Sequence, residues 1–485
     1  MNKANLVELA REDMRRRGFD PDFSDEVKAQ VAELEGQTVQ ESASVADLRG
    51  LLWSSIDNDT SRDLDQIELV ESLQNGAIKV LIGIAEIDSA AATGSPIDLH
   101  ANQQGTSVYT GVETFPMLPK ELSEGLTSLL EGVDRIAMII EFVVDSAAAV
   151  QSGRAYAGIV RNQAQLTYSG VGPWLEGSGS APPKIAGSTP MQAQIRLQDE
   201  VAQRLRAARY RMGALNIDSI ETTPVMSDGE ITGIQSVKKN RASQLIEDLM
   251  IAANGVIARM LSESHVSSIR RVVKTPERWD RIVELARGLG ERLPDQPDSS
   301  ELSAFLLKRK AADPIHSPDL SLAVIKLMGP GEYVVQKPGD PDQGHFGLAA
   351  HDYTHSTAPN RRYADLVTQR LVKAVLGNQP GPYTNAELDD IARNCTLKED
   401  AARKVERDMR KRIAAVALGG RIGETFRAVV TGVTPKGTFV RTLDPHADGM
   451  LVRGEQGLDV GDQIQVKLIN TDPVRGFIDF ARVQR

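Results

Sequence analysis

The stretch SSIDNDTSRDLDQIE, residues 54–68, places Asp57, Asp59, Asp63 and Asp65 within nine positions. Carboxylates this dense repel one another, so the spacing calls for a cation among them. Two chemistries are open. A calcium loop needs oxygen ligands at fixed positions and a turn glycine at the sixth. Counted from Asp57, Asp59, Ser61, Asp63 and Glu68 fall on ligand positions, but Arg62 stands where the glycine belongs. A long cationic side chain there opposes both the positive φ and the ion. The second chemistry is magnesium, a hard ion that takes carboxylate oxygens and shares its shell with water and substrate phosphate. Asp57, Asp63 and Asp65 carry that reading, which suits metal-assisted phosphodiester cleavage. An acidic surface loop has the same composition, so the cluster alone does not decide.

Other signatures are missing. GVTPKGT has phosphate-loop glycine spacing without its lysine, GSGSA is no nucleophile elbow, and there is no H-E-x-x-H. His351 and His355, four apart, are expected to be structural. The single cysteine, Cys395, excludes an internal disulfide and a multi-cysteine zinc site, and no disulfide-linked partner is expected.

The elements that must position these residues belong to a chain of 485 residues, long enough for two or three domains. No apolar run approaches the ~20 residues of a membrane span, and no membrane association is expected. The N-terminus lacks the apolar centre of a signal peptide, so a cytoplasmic protein is expected. A net charge of −10 opposes indiscriminate binding to polyanions, yet base is concentrated in KKNR, RRVVK, KRK and RKVERDMRKR. Each run alone is expected to be a solvated face.

Residues 1–50 are expected to hold short helices, over MNKANLVELAREDMRRR, SDEVKAQVAELEG and SVADLRGLLW. AIKVLIGIAEI is a strand after the turn QNG. Residues 191–215 form an amphipathic helix, and 242–261 one that is apolar nearly all round and therefore buried. Thr384 and Glu387 make a capping box for a further helix. After LGGRIGE, five short alternating segments predict an OB-type barrel over 419–485. The fold class is α+β.

The blocks IDNDTSRDLDQIE, GTSVY, MLPKELSEGLTSL, AQLTYSGVGPWLEGSG, IEDLMIAAN and THSTAPNRRYADLVTQR, in this order, resemble the ribonuclease II family. The resemblance covers nearly all of the chain after residue 50. It implies an RNB-type catalytic domain over 51–418 and an S-one type OB module over 419–485. The activity implied is magnesium-dependent 3′-to-5′ hydrolysis of single-stranded RNA to nucleoside 5′-monophosphates, with Mn2+ as a substitute ion and a monomer as the working form. Asp57, Asp63 and Asp65 match the family's metal-site aspartates, Asp65 being the most rate-critical. Tyr109 and Tyr168 match aromatics that hold the terminal nucleotides, and stacking tolerates any base. Arg361 matches the arginine beside the scissile phosphate; its alternative is an ion pair with Asp365. Glu406 matches a carboxylate on the RNA path, and Arg403, Arg407 and Arg410 give its helix a basic face, a track for phosphates.

Two departures stand out. The family motif ends in two adjacent aspartates, and here the second is Gln66, which keeps one oxygen ligand but loses a full charge. Glu68 or Glu86, near in sequence, is the candidate to compensate. The family's two cold-shock modules find no room in the first 50 residues, which leaves RNA capture to the barrel, where Phe426, Phe439 and Lys436 are face candidates and the aromatics equally core candidates. The alternative function is a catalytically weakened RNA-binding or regulatory protein on the same scaffold.

Overall fold

The computed structural model describes residues 3–35, 45–217, 221–227, 229–314, 316–341 and 343–483. Its centre is a seven-stranded mixed sheet, ordered Ala46–Asp47, Val150–Arg161, Asp134–Val144, Ile78–Ala85, Gln66–Ser72, Ser54–Asp57 and Ala164–Thr167. The inner strands are antiparallel, and both outermost pairings are parallel. The β-branched run of Ile78–Ala85 is buried along nearly its whole length, as a central strand covered on two faces should be.

The helix Arg241–Glu263 lies on this sheet. Gly153 is the close approach, since a Cβ there would overlap the Val256 side chain. Helix Thr189–Arg211 packs beside it, and Tyr363–Leu376 is buried through most of its length. These elements share one apolar core, from Trp53 and Ile56 through Ile82 and Ile139 to Leu249 and Val367.

Two helices, Lys3–Arg16 and Asp25–Leu34, precede the sheet. The ends of their predicted spans at residues 1–2 and 36, and Ser44 of the third span, lie outside the described residues. The third predicted helix does not form: Ala46–Asp47 is a strand that pairs with Gly158 and Ile159. The first helix packs Leu6, Ala10 and Met14 against Val405 and Met409 of the long helix Asn385–Leu418. Asp13 and Arg412 form a buried ion pair across that contact. The long helix starts at the expected capping box, with Thr384 Oγ1 accepting from Glu387 N at 3.3 Å.

The five C-terminal strands close into a barrel in the order Thr425–Thr434, Gly437–Thr442, Asp448–Arg453, Phe477–Arg482 and Gln463–Asp472. Phe426 belongs to its core and meets Phe480 edge-on at 6.3 Å between centroids, whereas Phe439 stays 38% exposed. Phe426 is therefore no surface contact for RNA; Phe439 and Lys436 remain on the outside. Arg441 joins the barrel to the helix Ser317–Met328 through Asp319 at 2.7 Å. No helix among the described residues is long and apolar enough to cross a membrane.

Of the basic runs, RRVVK diverges from expectation, while Lys238, Lys239, Lys308, Arg403, Arg407 and Arg410 of the others are exposed. Arg270 and Arg271 are buried: Arg270 Nη2 donates to Ala258 O at 2.8 Å, and Arg271 Nη2 lies 2.9 Å from Glu399. They are structural cations rather than a solvated face.

Candidate active site

The acidic loop begins where the strand Ser54–Asp57 ends. That strand runs parallel to Ala164–Thr167 with Asp57 opposite Thr167, so Tyr168 starts its helix beside the loop. Ser169 Oγ donates to Asp59 Oδ1 at 2.6 Å and ties the loop to that helix. Asn240, the N-cap of the helix Arg241–Glu263, donates from Nδ2 to the Tyr168 carbonyl at 2.7 Å. A Cβ at Gly172 would overlap this amide, so the close approach depends on glycine.

Within the loop, Asp57 Oδ1 accepts from Asn58 N at 2.7 Å and from Ser61 Oγ at 2.8 Å. Arg62 is exposed, is absent from the non-glycine residues with positive φ, and is followed by a strand at Gln66–Ser72. The calcium loop therefore lacks both its turn and its helix.

Asp63 and Asp65 face a different set of partners. Asp63 Oδ2 accepts from the Tyr109 hydroxyl at 3.2 Å. Asp65 is 2% exposed; its Oδ1 accepts from the backbone N–H of Asn360 at 2.9 Å. Its Oδ2 is buried without a hydrogen-bond partner, 3.6 Å from Arg361 Nε. Burial pushes the Asp65 carboxyl up to about 8, against the pull of Arg361 and the Asn360 N–H. Burial also raises Asp63. One buried and one half-buried acid short of counter-charge, with hard oxygen donors and one orphaned buried oxygen, fit a divalent cation. Among the described residues no cage of three such groups is already closed: Asp57 is turned to Ser61 and Asp63 to Tyr109.

Arg361 keeps 44% of its side chain accessible. The alternative of an ion pair with Asp365 is taken by its neighbour: Arg362 reaches Asp365 at 2.8 Å from Nε and 2.7 Å from Nη2. Arg361 O accepts from Ser107 N at 3.0 Å, which fastens the strand Val108–Tyr109 to the arginine segment. Tyr109 is 42% exposed as a residue, while burial raises its hydroxyl. Its backbone N–H donates to Glu406 Oε1 at 3.0 Å, so Glu406 holds the tyrosine loop from the long helix. Burial raises the Glu406 carboxyl as well.

The structure thus gathers Asp57, Asp63, Asp65, Tyr109, Tyr168, Arg361 and Glu406 through direct bonds or electrostatic contact. Arg403, Arg407 and Arg410 are all exposed on the helix that carries Glu406. Arg403 is partly neutralised by Glu399 and by Asp400 at 3.8 Å, and Arg407 Nε lies 3.9 Å from Asp408. Gln66 is buried at the start of its strand, opposite Ile84. Glu86 is engaged elsewhere, with Lys373 at 2.9 Å. Sequence reasoning missed Asn360 and Asn240. Asn240 carried a readable signal, an asparagine three residues before a serine at a helix start; Asn360 acts through its backbone and carried none.

Residues 45–378 match the RNB domain family, and residues 424–483 match the RNase II-type exonuclease C-terminal S1 domain. Ribonuclease R of Thermotoga maritima is 31% identical over 472 residues, which cover 90% of this chain and 65% of that protein. Ribonuclease R of Escherichia coli is 29% identical over 442 residues, 88% of this chain and 53% of that protein. The chain therefore spans between about half and two thirds of the length of these curated relatives. Mycoplasma genitalium RNase R, solved in complex with ribose-methylated single-stranded RNA, superposes with a TM-score of 0.87 at 22% identity, over 99% of this chain and 78% of that one. With a family match across most of its length, a sheet and helices that follow the same fold, and a closed barrel at its end, the chain belongs to the RNB domain family.

Proposed function

We propose that this chain is a magnesium-dependent 3′-to-5′ exoribonuclease that hydrolyses single-stranded RNA to nucleoside 5′-monophosphates. The observation that carries this is Asp65: a buried carboxylate with one orphaned oxygen, held between the Asn360 N–H and an accessible arginine. The relatives named Ribonuclease R, and the RNA bound by the Mycoplasma enzyme, support the substrate class. A cytoplasmic monomer is part of the same reading.

The chain's own groups divide the work. The Arg361 guanidinium meets a non-bridging phosphate oxygen and offsets charge as the phosphorus is attacked. Tyr109 and Tyr168 stack on the terminal bases, a contact every base can make. Glu406 fixes the Tyr109 loop through the backbone N–H, and the exposed arginines of its helix offer a path for the phosphates. When held by Asp57, Asp63 and Asp65, with Gln66 adding a neutral amide oxygen, Mg2+ supplies Lewis-acid stabilisation of the developing phosphate charge. The loss of a charge at Gln66 favours one rival, an RNA binder without turnover.

A time course on 5′-labelled single-stranded RNA with Mg2+, run beside Asp65→Asn, separates the two. Mononucleotides and one short labelled end-product, absent in Asp65→Asn, are expected. RNA that binds but stays intact with the unaltered chain would move the reading to the binder.

A further inference from the structure

The departure at Gln66 has a counterpart two residues along. Side chains alternate across a strand, so Gln66 and Glu68 share one face of Gln66–Ser72. Glu68 is completely buried, and neither of its carboxylate oxygens has a hydrogen-bond partner. A buried acid without a partner is a costly arrangement that a native core does not keep without cause. Its cross-strand neighbour is Ser54, on the strand that ends in Asp57. Gln198 comes close enough to donate to Ser54 Oγ at 3.2 Å and to the Glu68 carbonyl at 3.3 Å, yet leaves the carboxylate alone. The charge that acts on Glu68 is Asp57, and Tyr168 feels both Asp57 and Glu68. Glu86, the other acid in range by sequence, is bound by Lys373 and by Ser89 N at 3.2 Å.

We propose that Glu68 supplies the cation site with the negative charge that the motif loses at Gln66, from one step farther along the same strand face. Asp57, Asp63, Asp65 and Glu68 then bring to the site as many carboxylates as the family's four-aspartate motif. A bound divalent ion gives the buried Glu68 the counter-charge that no side chain among the described residues provides. The exchange explains two departures together, a neutral amide at 66 and an acid at a fully buried strand position, where a β-branched residue would be the ordinary occupant.

The assignment rests on the nuclease reading only for why a cation is needed, so its test measures the ion alone. Mn2+ is titrated into the full chain without RNA and free Mn2+ followed by electron paramagnetic resonance, for the unaltered chain, Glu68→Gln, Gln66→Asp and the double variant. Glu68→Gln is isosteric and removes an unpaired buried acid, so circular dichroism and melting should show it folded. It is expected to weaken Mn2+ binding by about 10-fold or more, the range in which groups supporting a metal site act. Gln66→Asp should recover most of that loss in the Glu68→Gln background while changing affinity by less than roughly 3-fold alone, a coupling that only two interchangeable charges give. Unchanged Mn2+ affinity in Glu68→Gln, or no recovery by Gln66→Asp, overturns the assignment. If Glu68→Gln fails to fold, Gln66→Asp alone decides: a gain of about 10-fold or more shows that the charge was missing and Glu68 did not replace it. A chain that binds Mn2+ through Glu68 but leaves RNA intact overturns the nuclease reading and supports this one; a chain that cleaves RNA while Glu68→Gln binds Mn2+ normally does the reverse.

Discussion

Arg362 holds Asp365 with two guanidinium nitrogens, at 2.8 and 2.7 Å, and Asp365 has no exposed surface. Its neighbour Arg361 is left to face Asp65 at 3.6 Å with 44% of its side chain accessible. Adjacent arginines therefore have opposite duties, one sealing a buried acid and one offered to a ligand. Arg361→Ala should lower kcat by about 10²-fold or more, the scale for losing a group that stabilises transition-state charge, with little change in melting temperature. Arg362→Ala should instead cost about 3–5 kcal/mol of stability, because it strands a buried carboxylate. Urea melts and single-turnover cleavage of both variants check the division; equal stability losses would refute it.

Tyr109 is held at both ends, by Glu406 at its backbone N–H and by Asp63 at its hydroxyl. The ring between them is the part that meets a base. Tyr109→Ala should weaken RNA binding by about 1–3 kcal/mol, one stacked base, and lengthen the final labelled product. Tyr109→Phe keeps the ring and loses only a hydrogen bond to Asp63, so product length should stay as in the unaltered chain. Fluorescence anisotropy in EDTA and a sequencing gel give the two readouts.

These contrasts also mark what residue patterns can convey. The barrel was readable because each strand is short, alternates, and ends in glycine, proline or aspartate turns. The acidic loop was readable because its meaning lies in local spacing. Helical spacing offers Asp365 as the alternative partner of Arg361, yet the helix starts at Tyr363, so Arg361 is not on it and Arg362 is the residue that reaches. Ala46–Asp47 looked helical because its strand exists only by pairing with Gly158 and Ile159, more than a hundred residues away. Arg271 looked like surface charge for the same reason, since its partner Glu399 is 128 residues away; Arg270 folds back only 12 residues, onto the Ala258 carbonyl. Phe426 and Phe439 differ only in which face of a small barrel they meet, which one residue of register decides.

Asn240 joins two functions that substitution can separate. Its Oδ1 accepts from Ser243 N at 3.0 Å and caps the helix, while its Nδ2 holds the Tyr168 carbonyl at 2.7 Å. Asn240→Asp keeps the acceptor and favours the helix N-terminus, but replaces the donor with an oxygen that repels the carbonyl. It should preserve stability to within about 1 kcal/mol and raise KM for RNA by loosening Tyr168. Asn240→Ala loses both roles and should also destabilise the chain by about 1 kcal/mol or more. Thermal melts and initial rates over a range of RNA concentrations distinguish the variants; an unchanged KM in Asn240→Asp would remove Tyr168 positioning from its duties.

Asp65 makes stability depend on pH with a definite sign. Its folded-state value of about 8 lies above the ordinary 3.8 because burial disfavours the charge. The folded chain keeps a proton that the unfolded chain releases, so stability falls as pH rises through this window, by at most about 1.4 kcal/mol per pH unit. Asp65→Asn carries no such proton and lacks this slope. In EDTA, its stability advantage over the unaltered chain should therefore grow between about pH 5 and pH 7.5, by on the order of 1–3 kcal/mol. A divalent ion binds the ionised carboxylate and competes with that proton, so added Mg2+ should shrink the difference most at the higher pH, and its apparent affinity should rise with pH. Urea denaturation of both chains across this range, with and without saturating Mg2+, measures each part. Parallel pH profiles in EDTA would mean that Asp65 is already ionised and compensated in the ion-free chain, and that Arg361 alone is counter-charge enough.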